Sequence, residues 1–533
     1  MARTGEDPPE AGGPEQAEPG STTPGPAGPA GADPAGTAGG GSTETGGAEP
    51  AAQQSVGTAA SRGFLWANVG VFTRYASALV LAALLARVLT TTEYAVMVTL
   101  MVVTFYFDNA LDMGMGAALV YEQETGITER VQVAFTATLG ITVVLSSVAF
   151  LGAPVIAGYF KIPDYVNVLR CLALVVIMSG CTAVPWSLFV RSMDFRRRAA
   201  VEVVRDMTRF GLTVGLALAG YGAWAVMIGL LGAYFAWFTL TWYFMRFRPT
   251  LAWDLTIAKQ LFSYAWRMAG SRLLGVLSLN GDYVVVGNRR PDQFPQYYQA
   301  FRLPEFVMGA QLNAMSAVLF PMYARIRSEG TMPMREALYK ALRIVALFSL
   351  PVGVGLALVA RDSISIMYGL DGETARVATQ TMQVLALAGC FAGLGFATGD
   401  LLYAIGRPGV MVRINAIMVP IMLTAMWFVA SNGVVWVATV HLVVAAVFTV
   451  IRQLIVNRIV EARLRRVVVA LVPGLIIATC VVAVGLPVRL MTDGGALSLL
   501  FIVLGGALGG LIGMGISGTA RAEALDLVAK LRG

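Results

Sequence analysis

The run V-A-F-T-A-T-L-G-I-T-V-V-L-S-S-V-A-F-L-G-A, Val133–Ala153, holds no charged residue over 21 positions. At 1.5 Å per residue a helix of that length rises about 31 Å, enough to cross the hydrocarbon core of a bilayer. Apolar runs of similar length recur on both sides of it. They fall at approximately 64–86, 94–118, 133–153, 166–189, 207–220, 223–245, 268–287, 297–321, 338–359, 376–403, 410–430, 434–456, 467–487 and 497–516. The fifth has the least distinct start, because charged residues run into it, and a start nearer Val201 is equally compatible with its pattern. The chain therefore reads as an all-α polytopic membrane protein of about fourteen transmembrane helices, with connections short enough to make sequential helices antiparallel neighbours.

Composition agrees. Of 533 residues, 56% are hydrophobic and only 13% charged, with a mean hydropathy of +0.68. A soluble domain carries about 25% charged residues, so an ordinary globular protein and a nucleic-acid binder are excluded. The net charge of +7 conceals a division. Residues 1–61 hold one basic and eight acidic residues among Gly, Pro, Ala and Thr; the remainder holds 38 basic and 24 acidic residues. The first segment lacks the apolar side chains needed to offset chain entropy and reads as a disordered tail. It has no apolar core of a signal peptide. The basic, apolar body fits cationic loops facing anionic membrane lipids.

Lys and Arg concentrate in the even-numbered connections and the C-terminal tail, 26 against 8 in the odd connections, which predicts cytoplasmic N- and C-termini. The 4–5 connection supplies Arg191, Arg196, Arg197, Arg198, Arg205 and Arg209, read as topology determinants; Arg452, Arg458, Arg463, Arg465 and Arg466 mark the 12–13 connection. The turns Gly220-Tyr-Gly-Ala-Trp224 and Asn432-Gly-Val-Val-Trp436 lie six helices apart. Six is even, so this spacing predicts a parallel repeat about an axis along the membrane normal. Trp favours interfaces in any case, and that plainer explanation of the two turns stays open.

An ionisable side chain at mid-membrane costs roughly 2.5–3.5 kcal/mol on insertion scales, so those within the apolar runs need an interior, wet or paired setting. In the first helix Ala67, Gly70, Arg74, Ser77 and Ala78 share a small, polar face opposite Leu65, Phe72 and Leu79, which turns Arg74 inward. The second helix carries Asp108 and Asp112 at i,i+4, with Thr104 one turn earlier. Rise per residue puts Arg74 and Asp108 at similar depths, about 15 Å from the cytoplasmic side, and hence near one another. The second half offers Arg272, Asn280 and Asp282 in helix 7, Arg302 and Glu305 at i,i+3 in helix 8, and Asp400 near the inner end of helix 10. Arg302 and Asp282 fall at a depth where they could pair. Each of these residues serves equally as a buried ion pair fixing helix register. For the arginines a ligand is the sharper alternative, because guanidinium matches phosphate bidentately and stays charged when partly buried.

Other features carry no chemistry. Cys171, Cys181, Cys390 and Cys480 sit apart in apolar runs and read as packing residues, and the single histidine, His441, excludes a histidine cluster. Gly513-Met-Gly-Ile-Ser-Gly518 fits a nucleotide-binding pattern but closes a membrane helix instead of following a strand. Gly505, Gly509 and Gly513 form a small-residue ridge for helix packing. No phosphate-binding loop of an ATPase occurs, so transport would be secondary or facilitated, with no cofactor and no metal.

Leu84–Leu100, L-L-A-R-V-L-T-T-T-E-Y-A-V-M-V-T-L, and Asp112–Val120, D-M-G-M-G-A-A-L-V, are similar to the start of bacterial oligosaccharide flippases. In order there follow R-S-M-D-F-R-R-R-A (Arg191–Ala199), G-Y-G-A-W-A-V-M-I-G (Gly220–Gly229), N-G-D-Y-V-V-V-G (Asn280–Gly287), Y-Q-A-F-R-L-P-E (Tyr298–Glu305), V-L-F-P-M-Y-A-R-I (Val318–Ile326) and L-L-Y-A-I-G-R-P (Leu401–Pro408). Each motif alone is weak; their ordered series spans residues 62–516. It identifies the polysaccharide transporter branch of the multidrug/oligosaccharidyl-lipid/polysaccharide exporter superfamily. Asn288–Gln296, N-R-R-P-D-Q-F-P-Q, departs from the glycine-rich connection usual there, and the acidic tail is atypical.

The resemblance implies two six-helix lobes, 62–245 and 246–460, in parallel pseudo-repeat around a central cavity, with two added helices within 461–516 and a short tail, 517–533. It implies that polyprenyl-pyrophosphate-linked oligosaccharides cross the cytoplasmic membrane by alternating access, for export of a surface polysaccharide. Arg74, Arg272, Arg302 and Asn280 would bind pyrophosphate or sugar. Asp108, Asp112, Asp282, Glu305 and Asp400 would balance charge or carry protons. Anionic lipids, and polymerase and glycosyltransferases of the same pathway, are the expected partners. Four rivals remain: a non-transporting scaffold, which leaves the intramembrane charges unexplained, a multidrug exporter or a lipid II flippase of the same superfamily, and a membrane glycosyltransferase, ligase or polymerase. The last is disfavoured because the longest outward loop, near 360–375, has only about 16 residues.

Overall fold

The computed structural model describes residues 73, 75–111, 127–191, 194–246, 248, 250–492, 494–518 and 521. The first half contributes α1 (Tyr75–Val88), α2 (Thr91–Leu111), α3 (Ile127–Tyr159), α4 (Leu172–Arg191), α5 (Phe195–Leu218) and α6 (Ala223–Met245). The second contributes α7 (Leu255–Arg289), α8 (Phe294–Ile326), α9 (Thr331–Tyr368), α10 (Gly372–Ala404), α11 (Pro408–Val429) and α12 (Val434–Ile459); α13 (Leu464–Met491) and α14 (Ala496–Ile516) follow. Among the described residues ten helices are long and apolar enough to cross a membrane; the other four expected spans fall on α1, α5, α7 and α8. The chain is a multi-pass membrane protein. Large apolar side chains face outward, as lipid solvent requires: Leu151 and Val155 are each 74% exposed.

Packing repeats between the halves. Within the first, α3 packs on α4, α4 on α6, α5 on α6 and α2 on α4; within the second, α9 packs on α10, α10 on α12, α11 on α12 and α8 on α10. Each pair recurs six helices later, as a parallel pseudo-repeat demands. The turns noted in the sequence follow the same rule. Thr90 and Glu93 form a capping box at the start of α2: the Glu93 carboxylate accepts from Thr90 N–H at 2.9 Å, and Thr90 Oγ accepts from Glu93 N–H at 3.3 Å. That carboxylate lies against Gly222, at the start of α6, where a Cβ would sit 1.9 Å from Oε1. Six helices on, Gln293 ahead of α8 lies against Gly433 and accepts from Val434 N–H, at the start of α12, at 3.1 Å. Gly222 and Gly433 have φ of 53° and 117°, conformations that favour glycine.

The halves meet at the end of the bundle that carries the odd-numbered connections. Phe160 stacks on Phe294 with centroids 5.8 Å apart, and Tyr94 meets Tyr298 edge to face at 6.2 Å. Asn288 Nδ2 donates to Tyr159 O at 2.8 Å, and Tyr159 OH donates to Val284 O at 3.3 Å. Close approach needs Gly287, since a Cβ there would lie 2.4 Å from the Phe160 ring. The largest buried cluster gathers around this seam.

The final pair, α13 and α14, packs on α9. Gly474 meets the Ala346 carbonyl, and Gly509 and Gly513 seat α14 directly on α13 backbone at Cys480 and Ile477, the role read for that ridge. Buried Asp362 of α9 accepts from Gly495 N–H at 3.2 Å and Ser498 Oγ at 3.1 Å, satisfying donors at the start of α14. All four cysteines are free.

Two expectations need correction. The fifth helix begins at Phe195, near neither 207 nor 201, with Asp194 as its cap accepting from Arg197 N–H at 3.2 Å. And the expected 16-residue outward loop is only residues 369–371, because α9 extends to Tyr368 and α10 starts at Gly372.

Candidate functional site

Below the aromatic seam, a cavity of about 480 Å³ opens between the halves, lined from α1, α2, α5, α6, α7 and α8. Its polar wall comes from Thr104, Asp108, Arg205, Asp206, Arg209, Tyr234, Asn280, Tyr298, Arg302 and Glu305. On α2, residues Met97 to Asp108 line it, a rise of about 16 Å.

Three local structures position the charges. Asp108 accepts from Ser179 Oγ of α4 at 2.7 Å and from Tyr234 OH of α6, so one carboxylate ties three helices of the first half together. On α5 the stripe Arg198, Glu202, Arg205, Arg209 repeats at i, i+4, i+7 and i+11, one face of a helix. Arg198 pairs with Glu202 at 3.3 Å; Arg205 pairs with Asp206 at 3.0 Å and lies 5.7 Å over the Trp237 ring. Arg209 extends to Met101 Sδ on α2. On α8, Arg302 and Glu305 form the i,i+3 pair at 2.9 Å, and the guanidinium stacks 4.0 Å over Tyr298. Tyr298 thus touches both the cavity arginine and the seam, through Tyr94.

Among the described lining residues, three guanidiniums face three carboxylates. Such a wall is balanced when empty, and a dianion can take over guanidinium donors now committed to carboxylates. Three buried polar atoms of lining residues, Arg302 Nε, Thr104 Oγ1 and Asp206 Oδ2, have no hydrogen-bond partner among the described residues.

The residues singled out from sequence divide into groups. Arg302, Asn280, Asp108 and Glu305 line the cavity. Arg74 and Asp112 lie outside the described residues, so their expected proximity to Asp108 and the cavity stays an expectation; Arg272 belongs to α7, and its side chain is likewise not described. The expected pairing of Asp282 with Arg302 does not form. Asp282, 1% exposed, turns into the second half, where it accepts from Tyr297 OH at 2.7 Å and Tyr283 N–H at 2.9 Å, with His441 Nδ1 at 3.9 Å. Arg302 has Glu305 one helical turn away on its own face and needs no long-range partner. Asp400 is buried beside Ser316, apart from the lining residues.

Sequence reading missed Arg205 and Arg209. Hydropathy places a helix boundary where apolar residues begin, and α5 starts twelve residues earlier with a charged stripe. Helical spacing of that stripe was the available signal. Ser179, Tyr234, Tyr298 and His441 carry no local signal, since each acquires its role from a partner on another helix.

The comparisons agree with this architecture. A family model described as "Polysaccharide biosynthesis protein" matches residues 84–371. The teichuronic acid biosynthesis protein TuaB of Bacillus subtilis (strain 168) is 25% identical over 352 residues, covering 65% of this chain and 71% of that protein. The succinoglycan biosynthesis transport protein ExoT of Rhizobium meliloti (strain 1021) is 23% identical, covering 54% of this chain and 58% of ExoT. Among solved structures, the lipid II flippase MurJ in an inward closed conformation superposes with a TM-score of 0.69 at 16% identity, covering 85% of this chain and 98% of MurJ. That likeness is one of fold.

Proposed function

The chain belongs to the polysaccharide biosynthesis protein family, and from that premise we propose that it is a flippase for polyprenyl-pyrophosphate-linked oligosaccharides, serving export of a surface polysaccharide and performing no covalent chemistry itself. The observation that carries this reading is the charge-balanced arginine cavity directly beneath the seam joining the halves. A pyrophosphate diester is a compact dianion. Arg302, Arg205 and Arg209 present donors that match it bidentately, and Asn280 offers an amide to the first sugar. Arg74 and Arg272 belong to the same proposed set.

With both termini cytoplasmic, as the Lys and Arg distribution argues, the seam closes the outer side and the cavity receives substrate from within. Substrate drawing Arg302 from Glu305 would also disturb its stack on Tyr298, which in turn meets Tyr94 across the seam. Binding and outer opening are thereby linked through one side chain. Glu305, Asp108 and Asp112 restore charge balance when the cavity empties, and Asp282 and Asp400 are the buried acids available for proton uptake. The polyprenyl tail stays in lipid. The setting is the cytoplasmic membrane, with anionic lipids around the basic connections and the polymerase and glycosyltransferases of the same pathway as partners.

Guanidinium groups on the wall disfavour the cation exporter of the same superfamily, whose substrates they would repel. The three-residue connection at 369–371 disfavours a polymerase or transferase built in that loop. Deleting the gene and assaying the sidedness of polyprenyl-linked oligosaccharides tests the proposal. It expects a completed repeat unit trapped on the inner leaflet and loss of surface polymer. Normal polymer with no trapped intermediate, in a strain without a paralogue, would overturn it.

A further inference from the structure

A second cavity, about 570 Å³, lies at the seam end of the second half, between the first turns of α10 and α12. Gln293, Glu373, Gln380, Asn432, Trp436 and Thr439 supply its polar and aromatic lining. It differs in chemistry from the central cavity. Among the described residues no arginine lines it, and its one carboxylate, Glu373, is paired with Arg376 at 3.5 Å. Three primary amides converge there. Gln293 is held by its bond from Val434 N–H, whereas the side chains of Gln380 and Asn432 make no hydrogen bond to the described protein. The Trp436 indole is 55% exposed beside them.

We propose that this groove is a saccharide-binding site separate from the central cavity. A primary amide sets a donor and an acceptor side by side, the arrangement that vicinal hydroxyls complete. An exposed indole face gives the C–H face of a pyranose ring an apolar surface while its N–H remains available for bonding. The other ligand classes fit poorly. A phosphate would find no free cation, an inorganic cation would find its carboxylate already paired, and a lipid tail would have to desolvate three amides. A tryptophan serving only as an interfacial anchor explains the exposed ring but not the amides around it. The groove also adjoins the seam in sequence and space, since Gln293 immediately precedes Phe294. A glycan leaving through the parted seam would meet it first.

The site shares with the proposed function only the saccharide class, and its test reads binding, so the two can fail separately. The full-length protein, purified in detergent and fluorescently labelled, is applied to an array of defined oligosaccharides from bacterial capsules, teichuronic acids and O-antigens. Wild-type protein should retain a subset. Trp436→Ala should weaken retention roughly tenfold, the scale of one aromatic contact, and Gln380→Ala should weaken it several-fold. Trp224→Ala, at the corresponding turn of the first half, should bind as wild type does. No retention by wild type, or retention unchanged in monodisperse Trp436→Ala and Gln380→Ala, would overturn the proposal. If Trp436→Ala proves polydisperse, Gln380→Ala alone decides.

Discussion

The two halves repeat each other in packing and differ in where they put their charges. In the first, α5 lays Arg205, Asp206 and Arg209 along the cavity wall, and Asp108 ties α2, α4 and α6 together at its edge. In the second, Asp282 is withdrawn among Tyr297, Tyr283 and His441, and among the described residues Asn280, Arg302 and Glu305 line the cavity beside Tyr298. Repetition solves a scaffold problem, the satisfaction of helix ends and the close fit of six helices in lipid. It does not dictate the chemistry of the face turned inward, which a substrate without two-fold symmetry requires to be unequal.

The largest effect that would break this comparison lies in the cavity arginines. Arg302→Ala, paired with Glu305→Gln so that no carboxylate is stranded, should lower flipping by roughly 30-fold or more in a sidedness assay, with membrane insertion intact. Arg302→Lys should not restore it, because an ammonium neither forks to a pyrophosphate nor stacks on Tyr298 in the same way. Arg205→Ala/Arg209→Ala should fall in the same range. Wild-type flipping by both sets would mean that the unequal charges serve helix register alone. Alanine at Arg74 or Arg272 should likewise abolish export, and retained export by both single variants would remove them from the pyrophosphate site.

The two aspartates sharpen the contrast at intermediate size. Asp282→Ala leaves the Tyr297 hydroxyl without its acceptor in the core, and should lower stability by about 1–3 kcal/mol in a thermal unfolding assay. Asp108→Asn keeps an acceptor for Tyr234 or Ser179 and should unfold within about 1 kcal/mol of wild type, while flipping falls because the wall loses a negative charge. If Asp108→Asn were the more destabilised and Asp282→Ala unfolded as wild type does, the assignment of one acid to the cavity and the other to the core would be reversed.

These cases also show what the linear sequence makes legible. The helices and their order are readable because a span must be long and apolar, and Arg302 with Glu305 because one helical turn brings them together. The repeat is readable from two glycine–tryptophan turns. Arg205 and Arg209 are hidden by the averaging that reveals the spans, since a helix with a charged first half looks like a loop. Asp282 is misassigned for a different reason. Its partners Tyr297 and His441 come from two other helices, and no spacing rule connects them to it.

The smallest effect probes the scaffold. Both Gly222 and Gly433 hold positive φ before α6 and α12, so alanine at either site incurs backbone strain of about 1–3 kcal/mol. They differ in what lies opposite. A Cβ on Gly222 would collide with Oε1 of Glu93, 1.9 Å away, whereas one on Gly433 would meet Gln293 Oε1 at 3.5 Å, an ordinary contact. Gly222→Ala should therefore be the more destabilised, by about 1 kcal/mol, the value of the capping box it disturbs. Glu93→Ala already lacks that cap, so adding Gly222→Ala to it should cost only the strain term, and the double variant should be more stable than the sum of the singles. Strict additivity would show that Glu93 yields to the new methyl group without losing its bond to Thr90. The two turns would then be equivalent in energy as well as in place, and the inequality between the halves would be confined to the cavity.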